Sequence, residues 1–144
     1  VEPTNFETTY HLGECWRKLS WQGEENYREQ AEKAMVWYRR GIGLNPFDAY
    51  NYARLGMCLD WVGRHEEALS CYEEMLRRDG NNYYLLNLAG WHYVQVEDWT
   101  RAREYFIQSG HINGWSSLTT QRYLDLIRRR SAAPAVTPPS SGRR

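Results

Sequence analysis

The chain has 144 residues, of which 42% are apolar and 15% aromatic, so it is long enough for one domain with a packed core. Its formal net charge is zero, but residues 117–144 are basic and residues 1–116 are therefore acidic, which argues against a nucleic-acid binder. No stretch approaches the roughly 18 consecutive apolar residues of a membrane span, and no signal-peptide pattern opens the chain.

The first predicted unit covers about residues 5–47 and contains two helices. The first of these helices carries Leu-Gly followed by an aromatic residue, centred on Gly13. Apolar residues at helical spacing predict the second helix over about residues 24–43. A nine-residue insertion around "WQGEENYRE" lies between the two helices, and we interpret it mainly as an extension of the second helix.

The next two units, residues 49–82 and 83–116, align on each other at a period of 34 without gaps. In each unit a glycine is followed by an alanine, an aromatic residue and a terminal turn residue at the same offsets. The aligned pairs are Gly56/Gly90, Ala68/Ala102, Tyr72/Phe106 and Gly80/Gly114. A glycine inside a helix costs about 1 kcal/mol relative to alanine, so its recurrence predicts that two helices pack closely where Gly56 and Ala68, or Gly90 and Ala102, meet.

The end of the chain continues this pattern for one more helix. Residues 117–130 keep the register of a first helix, with Leu124 where the glycine would stand. We predict that this helix caps the last hairpin. Residues 131–144 are rich in proline and serine, and we predict a disordered tail.

The order Leu-Gly-x2-aromatic, then alanine, aromatic residue and turn, resembles the tetratricopeptide repeat. The resemblance covers residues 1–130 and implies an all-α solenoid of three helical hairpins plus a C-terminal capping helix. The chain carries no HExxH, GxSxG or phosphate-cradling glycine loop. We therefore expect a protein that is not an enzyme and that has no catalytic residue, cofactor or metal site.

In tetratricopeptide arrays the first helix of each hairpin lines the concave side, which predicts a partner-binding surface here. Its candidate residues are Tyr50, Met57, Trp61, Tyr84, Asn87 and Trp91. Tyr50 and Tyr84 lie one repeat apart and should be neighbours, as should Met57 and Trp91. We expect this aromatic face to bind an extended peptide or an amphipathic helix of a protein partner, with Asn87 holding backbone amides.

Two alternatives concern the same surface. The long first hairpin could pack across it, in which case Tyr84 and Trp91 belong to the core. Some tetratricopeptide domains clamp a terminal carboxylate with Lys, Asn and Arg on the concave helices. The corresponding positions here include Ala53 and Met57, so the two-residue basic clamp is absent and binding of chaperone tails is not expected.

Two further functional hypotheses remain open at this stage. The open ends of a solenoid and the high aromatic content favour self-association into oligomers or filaments. The segments "RLGMCLDWVGRHEEA" and "GWHYVQ" also resemble, over about residues 30–130, the repeat tails of bacterial O-antigen ligase and polymerase membrane proteins. That resemblance implies a detached interaction module, which would explain the absence of an initial Met. The sequence does not indicate the compartment.

Overall fold

A computed structural model describes residues 4–132, and the regular structure in this range is helical throughout. The helices are α1 (Phe6–Ser20), α2 (Tyr27–Leu44), α3 (Ala49–Trp61), α4 (His65–Arg78), α5 (Tyr83–Gln95), α6 (Trp99–Asn113) and α7 (Leu118–Ala132). Three consecutive antiparallel pairs, α1–α2, α3–α4 and α5–α6, are followed by α7, which packs on α6. The predicted all-α hairpin architecture is confirmed.

The last helix differs slightly from its predicted extent. The capping helix was expected over residues 117–130, whereas α7 continues to Ala132. The first two residues of the expected tail therefore belong to α7. The rest of that tail, residues 133–144, lies outside the described residues.

Side-chain caps explain where several helices begin. The Asp48 carboxylate accepts hydrogen bonds from the first backbone N–H groups of α3, and Asn82 and Asp98 cap α5 and α6 in the same way. These contacts satisfy donors that a helix leaves unpaired at its N-terminus. Gly114, with a left-handed φ of 62°, ends α6.

The nine-residue insertion is divided among three places in the first hairpin. Counted from the shared glycine and alanine, α1 is two residues longer than α3 at its end. The turn between α1 and α2 has three more residues than the turn between α3 and α4, and α2 has four more residues at its start than α4. The interpretation as an extended second helix is therefore right for the largest share of the insertion only.

In each hairpin a glycine of the first helix packs against an aromatic ring of the second helix. The distances from an ideal Cβ on the glycine to the nearest ring atom are 2.5 Å for Gly13–Tyr38, 3.0 Å for Gly56–Tyr72 and 2.9 Å for Gly90–Phe106. The glycines permit close packing, as predicted, but the atoms nearest to them belong to these rings and not to the alanines. The ring fills the space that a side chain at the glycine would occupy.

A buried polar cluster joins the second hairpin to the third. The Asp60 carboxylate is fully buried and lies 2.8 Å from Nδ1 of His65 and 2.9 Å from Nδ1 of His92. Within residues 4–132, neither this cluster nor any other group of three or more His, Cys, Asp or Glu side chains could hold a metal ion. In the same range, no helix combines the length and the apolar character that crossing a membrane requires.

Candidate functional site

An aromatic groove of about 360 Å³ opens between the end of α1, the helices α3 and α5, and the start of α7. Its lining residues are Trp21, Met57, Tyr83, Tyr84, Asn87, Leu88, Trp91, Ser117, Thr119 and Tyr123. None of these described residues is an acid, a lysine, an arginine or a histidine. We call this surface the aromatic groove.

Four of the six residues predicted to bind a partner line the aromatic groove, namely Met57, Tyr84, Asn87 and Trp91. Tyr50 lies beside the groove, because its ring stacks on Tyr84 with the ring centroids 6.4 Å apart. This contact confirms the expected proximity of the two tyrosines. Tyr50 itself faces a separate, shallow depression that it shares with residues of α1.

The sixth predicted residue, Trp61, packs the turn between α1 and α2 against α3 and does not line the groove. Its indole Nε1 donates a hydrogen bond to Ser20 Oγ at 3.1 Å, and its ring centroid lies 5.7 Å from that of Trp21. The ring of Trp21 also lies 6.2 Å from that of Trp91. The first hairpin therefore contacts the concave face through Trp21, but as a wall of the groove and not as a cover.

Asn87 is held in place by the start of α7. Its Oδ1 accepts a hydrogen bond from Thr120 Oγ1 at 3.0 Å, and the residue is only 6% exposed. Within the described part of the chain its amide nitrogen donates no hydrogen bond. The amide nitrogen is therefore the half of the Asn87 side chain that has no partner among the described residues, and its role in holding backbone amides stays a prediction.

The charged groups next to the groove form ion pairs with one another. The Glu14 carboxylate accepts hydrogen bonds from Arg17 and from the Tyr38 hydroxyl, at 2.8 and 2.6 Å, and lies 3.1 Å from Nε of Arg54. Burial alone would raise the pKa of Glu14, but the hydrogen bonds from Arg17 and Tyr38 and the charge of Arg54 lower it to about 2. Glu14 is therefore a firmly ionised acceptor at neutral pH.

Arg54 connects this network to the groove. Its Nε donates to the Tyr10 hydroxyl at 3.1 Å, and its guanidinium lies 5.6 Å from the ring centroid of Tyr84. The side chain is 12% exposed. Arg54 and Arg17 share the single Glu14 carboxylate, so the three groups together keep one positive charge. Arg54 is hydrogen-bonded to Tyr10 and does not line the groove.

The sequence pattern missed the groove residues that come from the irregular parts of the chain. Trp21 belongs to the insertion, so the period of 34 does not predict its position. Its place in the aromatic groove depends on α1 extending two residues further than α3. Tyr123 reads as a core position of the capping helix, and its ring does stack on Phe106 with centroids 4.9 Å apart. Its other edge faces the groove.

Comparison with known proteins identifies the fold. No protein-family model matches the chain. No curated protein matches its sequence. Many solved structures match its fold, and those compared below are tetratricopeptide repeat proteins or domains.

Three of these structures illustrate the likeness. The TPR2B domain of yeast Sti1, in complex with pHsp70, superposes with a TM-score of 0.72 at 15% identity over 87% of this chain and 97% of that chain. The second TPR domain of human RPAP3, in complex with the HSP70 peptide SGPTIEEVD, gives 0.67 at 15% identity over 86% and 98%. YrrB, described as a TPR protein with an unusual peptide-binding site, gives 0.67 at 25% identity over 82% of this chain and 56% of that chain.

The chain therefore has the tetratricopeptide repeat fold, as its repeat pattern predicts. At these identities the likeness establishes the fold and leaves the ligand to be argued from the groove. The narrower resemblance to the tails of O-antigen ligases and polymerases finds no support among the similar proteins.

Proposed function

We propose that this chain is a protein-interaction domain whose aromatic groove binds an uncharged, apolar segment of a partner protein. The observation that carries the proposal is the composition of the groove. It is lined by aromatic and aliphatic side chains with a few polar groups and without a charged side chain among the described residues. Aromatic anchors supply most of the binding energy in contacts of this kind.

The geometry favours a segment that inserts apolar side chains between the rings. Trp91 and Tyr84 are half-buried, so each is held by the core while part of its ring remains open to a ligand. Rigid aromatic rings lose little conformational entropy on binding. The Asn87 amide group lies among them and would donate to a carbonyl oxygen of the ligand backbone.

Acidic peptides are the ligand class that this groove is least suited to bind. The human RPAP3 domain named above is seen with the peptide SGPTIEEVD, whose last four residues include three acidic ones. No described residue that lines the aromatic groove is a cation, so an incoming carboxylate would lose hydration without gaining a cationic partner there. We therefore infer a preference for uncharged segments.

Peptide display on the full chain tests the proposal. We expect selected peptides to be rich in apolar and aromatic residues and poor in Asp and Glu. Their affinity should exceed that of SGPTIEEVD by at least about tenfold, measured by fluorescence anisotropy of labelled peptides. The variants Trp91→Ala and Tyr84→Ala should each weaken the selected peptides by about tenfold or more.

A matched control separates binding from folding. Val36 on α2 is 60% exposed and does not line the groove, so Val36→Ala should leave peptide affinity unchanged. Circular dichroism should show that the variants keep their helix content. Selected peptides that bind Trp91→Ala as tightly as the unaltered chain, or that share a conserved acidic end, would overturn the proposal.

A further inference from the structure

A second concave surface lies at the C-terminal end of the solenoid, outside α7. It is a groove of about 790 Å³ between α6 and α7, and its wall includes Arg103, Ile107, Trp115, Leu124, Ile127 and Arg128. We call it the second-helix seat. It shares no described lining residue with the aromatic groove.

The 34-residue register identifies what this seat corresponds to in the preceding hairpin. One repeat earlier, the positions of Leu124, Ile127 and Arg128 are those of Gly90, Tyr93 and Val94. These three residues pack α5 against α6, where Gly90 contacts Phe106 and the Tyr93 ring stacks on Tyr105 at 5.5 Å. The second-helix seat is therefore the place where the second helix of a fourth hairpin would pack.

We propose that the second-helix seat binds an amphipathic helix of a partner protein, which completes a fourth hairpin in trans. In the three hairpins of this chain the first helix offers a glycine and the second helix fills it with a ring. At the second-helix seat the large side chain is on the first helix instead, because α7 has Leu124 at the position where the other first helices have a glycine. The partner helix therefore carries a small residue, such as alanine or glycine, opposite Leu124.

The charges around the seat define the flank of the partner helix. Arg103 is exposed and forms no ion pair with a described residue. Asp125 is the acidic side chain on the wall, and it already accepts hydrogen bonds from Arg128 at 2.8 Å and Arg129 at 3.4 Å. The rim is therefore basic, and a partner helix with carboxylates on its polar flank complements it.

The sequence of residues 133–144 is unsuited to this helix. Residues 133–144 include Pro134, Pro138 and Pro139, and proline is excluded from the interior of a helix. In the register of α6, Pro138 would fall well inside the helix. The basic rim and the register therefore favour a partner helix with an acidic flank over residues 133–144.

Peptides with the sequence of α6 test whether Leu124 selects a small residue on the helix that packs against it. Two labelled peptides of residues 98–113 are compared, one with the native Phe106 and one with Phe106→Ala. The full chain should bind the alanine peptide at least about tenfold more tightly by fluorescence anisotropy. In the Leu124→Gly variant, which restores the glycine of the other hairpins, the preference should reverse in favour of the native peptide.

The site and the charge of the partner are tested on the same system. The indole resonance of Trp115 should shift on peptide binding, whereas that of Trp91 in the aromatic groove should not. A version of the alanine peptide with glutamates at positions 101 and 103 should bind more tightly at low salt, and added salt should remove that gain.

Three results would overturn the assignment. One is a lack of binding by both peptides, or the same preference in both forms of the chain. Another is a dimer in sedimentation experiments that Leu124→Glu converts to monomer, since a second copy would then occupy the seat. The third is a shift of the resonances of residues 133–144 on peptide binding, since the chain's own segment would then be displaced from it.

Discussion

The first hairpin and the last helices share one backbone arrangement but differ in the chemistry of their contacts. In the first hairpin a largely buried carboxylate, Glu14, accepts a hydrogen bond from Tyr38 and contacts Arg54. At the other end Phe106, which holds the place of Tyr38, stacks its ring on that of Tyr123. The repeat conserves the packing of helices and not the character of their concave face. None of the described residues that line the aromatic groove belongs to this ionic network.

Removal of Glu14 is expected to have the largest effect on stability. Glu14→Ala leaves Arg17 and Arg54 buried without their shared carboxylate, and breaking a buried ion pair costs about 3–5 kcal/mol. Urea denaturation should show this loss in the free energy of unfolding. Glu25→Ala, in the exposed turn before α2, should have little effect. An equally small loss for Glu14→Ala would show that the two ends do not differ as described.

The same carboxylate should make stability depend on pH. The pKa of Glu14 is lowered to about 2 in the folded chain from an ordinary value of 4.5, so its contribution is full above about pH 5 and is lost as the pH falls toward 2. That contribution is up to about 3 kcal/mol. Glu14→Gln should flatten the profile between pH 5 and pH 2, and Glu25→Gln should not. An unchanged slope in Glu14→Gln contradicts the assignment.

The contact between a glycine and an aromatic ring is present in all three hairpins, and a methyl group added to the glycine should weaken it. Gly13→Ala places a Cβ 2.5 Å from the Tyr38 ring and should destabilise the chain by about 1–3 kcal/mol, despite the better helix propensity of alanine. At Gly43, near the end of α2, no described atom beyond the adjacent residues and the nearby backbone of α2 lies within 4 Å of such a Cβ, so Gly43→Ala should stabilise by about 0.5–1 kcal/mol. The midpoint of thermal unfolding should fall for Gly13→Ala and rise for Gly43→Ala. Shifts of the same sign would contradict the role assigned to the glycine–ring contact.

The smallest expected effect concerns the contact that holds the groove together at α7. Thr120→Val removes the hydroxyl that donates to Asn87 Oδ1 and should cost about 1 kcal/mol. The neighbouring Thr119 is exposed, so Thr119→Val should cost clearly less. If the two variants unfold at the same denaturant concentration, Asn87 is not positioned by α7.

The sequence was sufficient to predict the regular part of the fold. Glycine, alanine and aromatic residues at a period of 34 predicted the hairpins, because stacked hairpins repeat the same contact between a glycine and an aromatic ring. The partner of the glycine was not predictable from spacing alone, since both the alanine and the ring lie on the facing helix. The insertion was divided between helices and turn because helical spacing alone does not locate a helix end.

The candidate groove was predicted in part, for a physical reason that separates its residues. Tyr84, Asn87 and Trp91 lie on α5 in the regular repeat, so periodicity placed them on one face. Trp61 was placed with them, but the longer α1 brings Trp21 against it and takes it out of the groove. The contact between Trp21 of the insertion and Trp61 of the repeat occurs once in the chain. A prediction based on the period of 34 therefore does not include it.

The most direct test of the account is to follow the tryptophan indole resonances of the full chain while a display-selected apolar peptide is added. We predict that the resonances of Trp21 and Trp91 shift together and saturate at the affinity measured by anisotropy, while that of Trp115 stays in place. A saturable shift of Trp115 without one of Trp91 would contradict the account, because the peptide would then bind outside the aromatic groove.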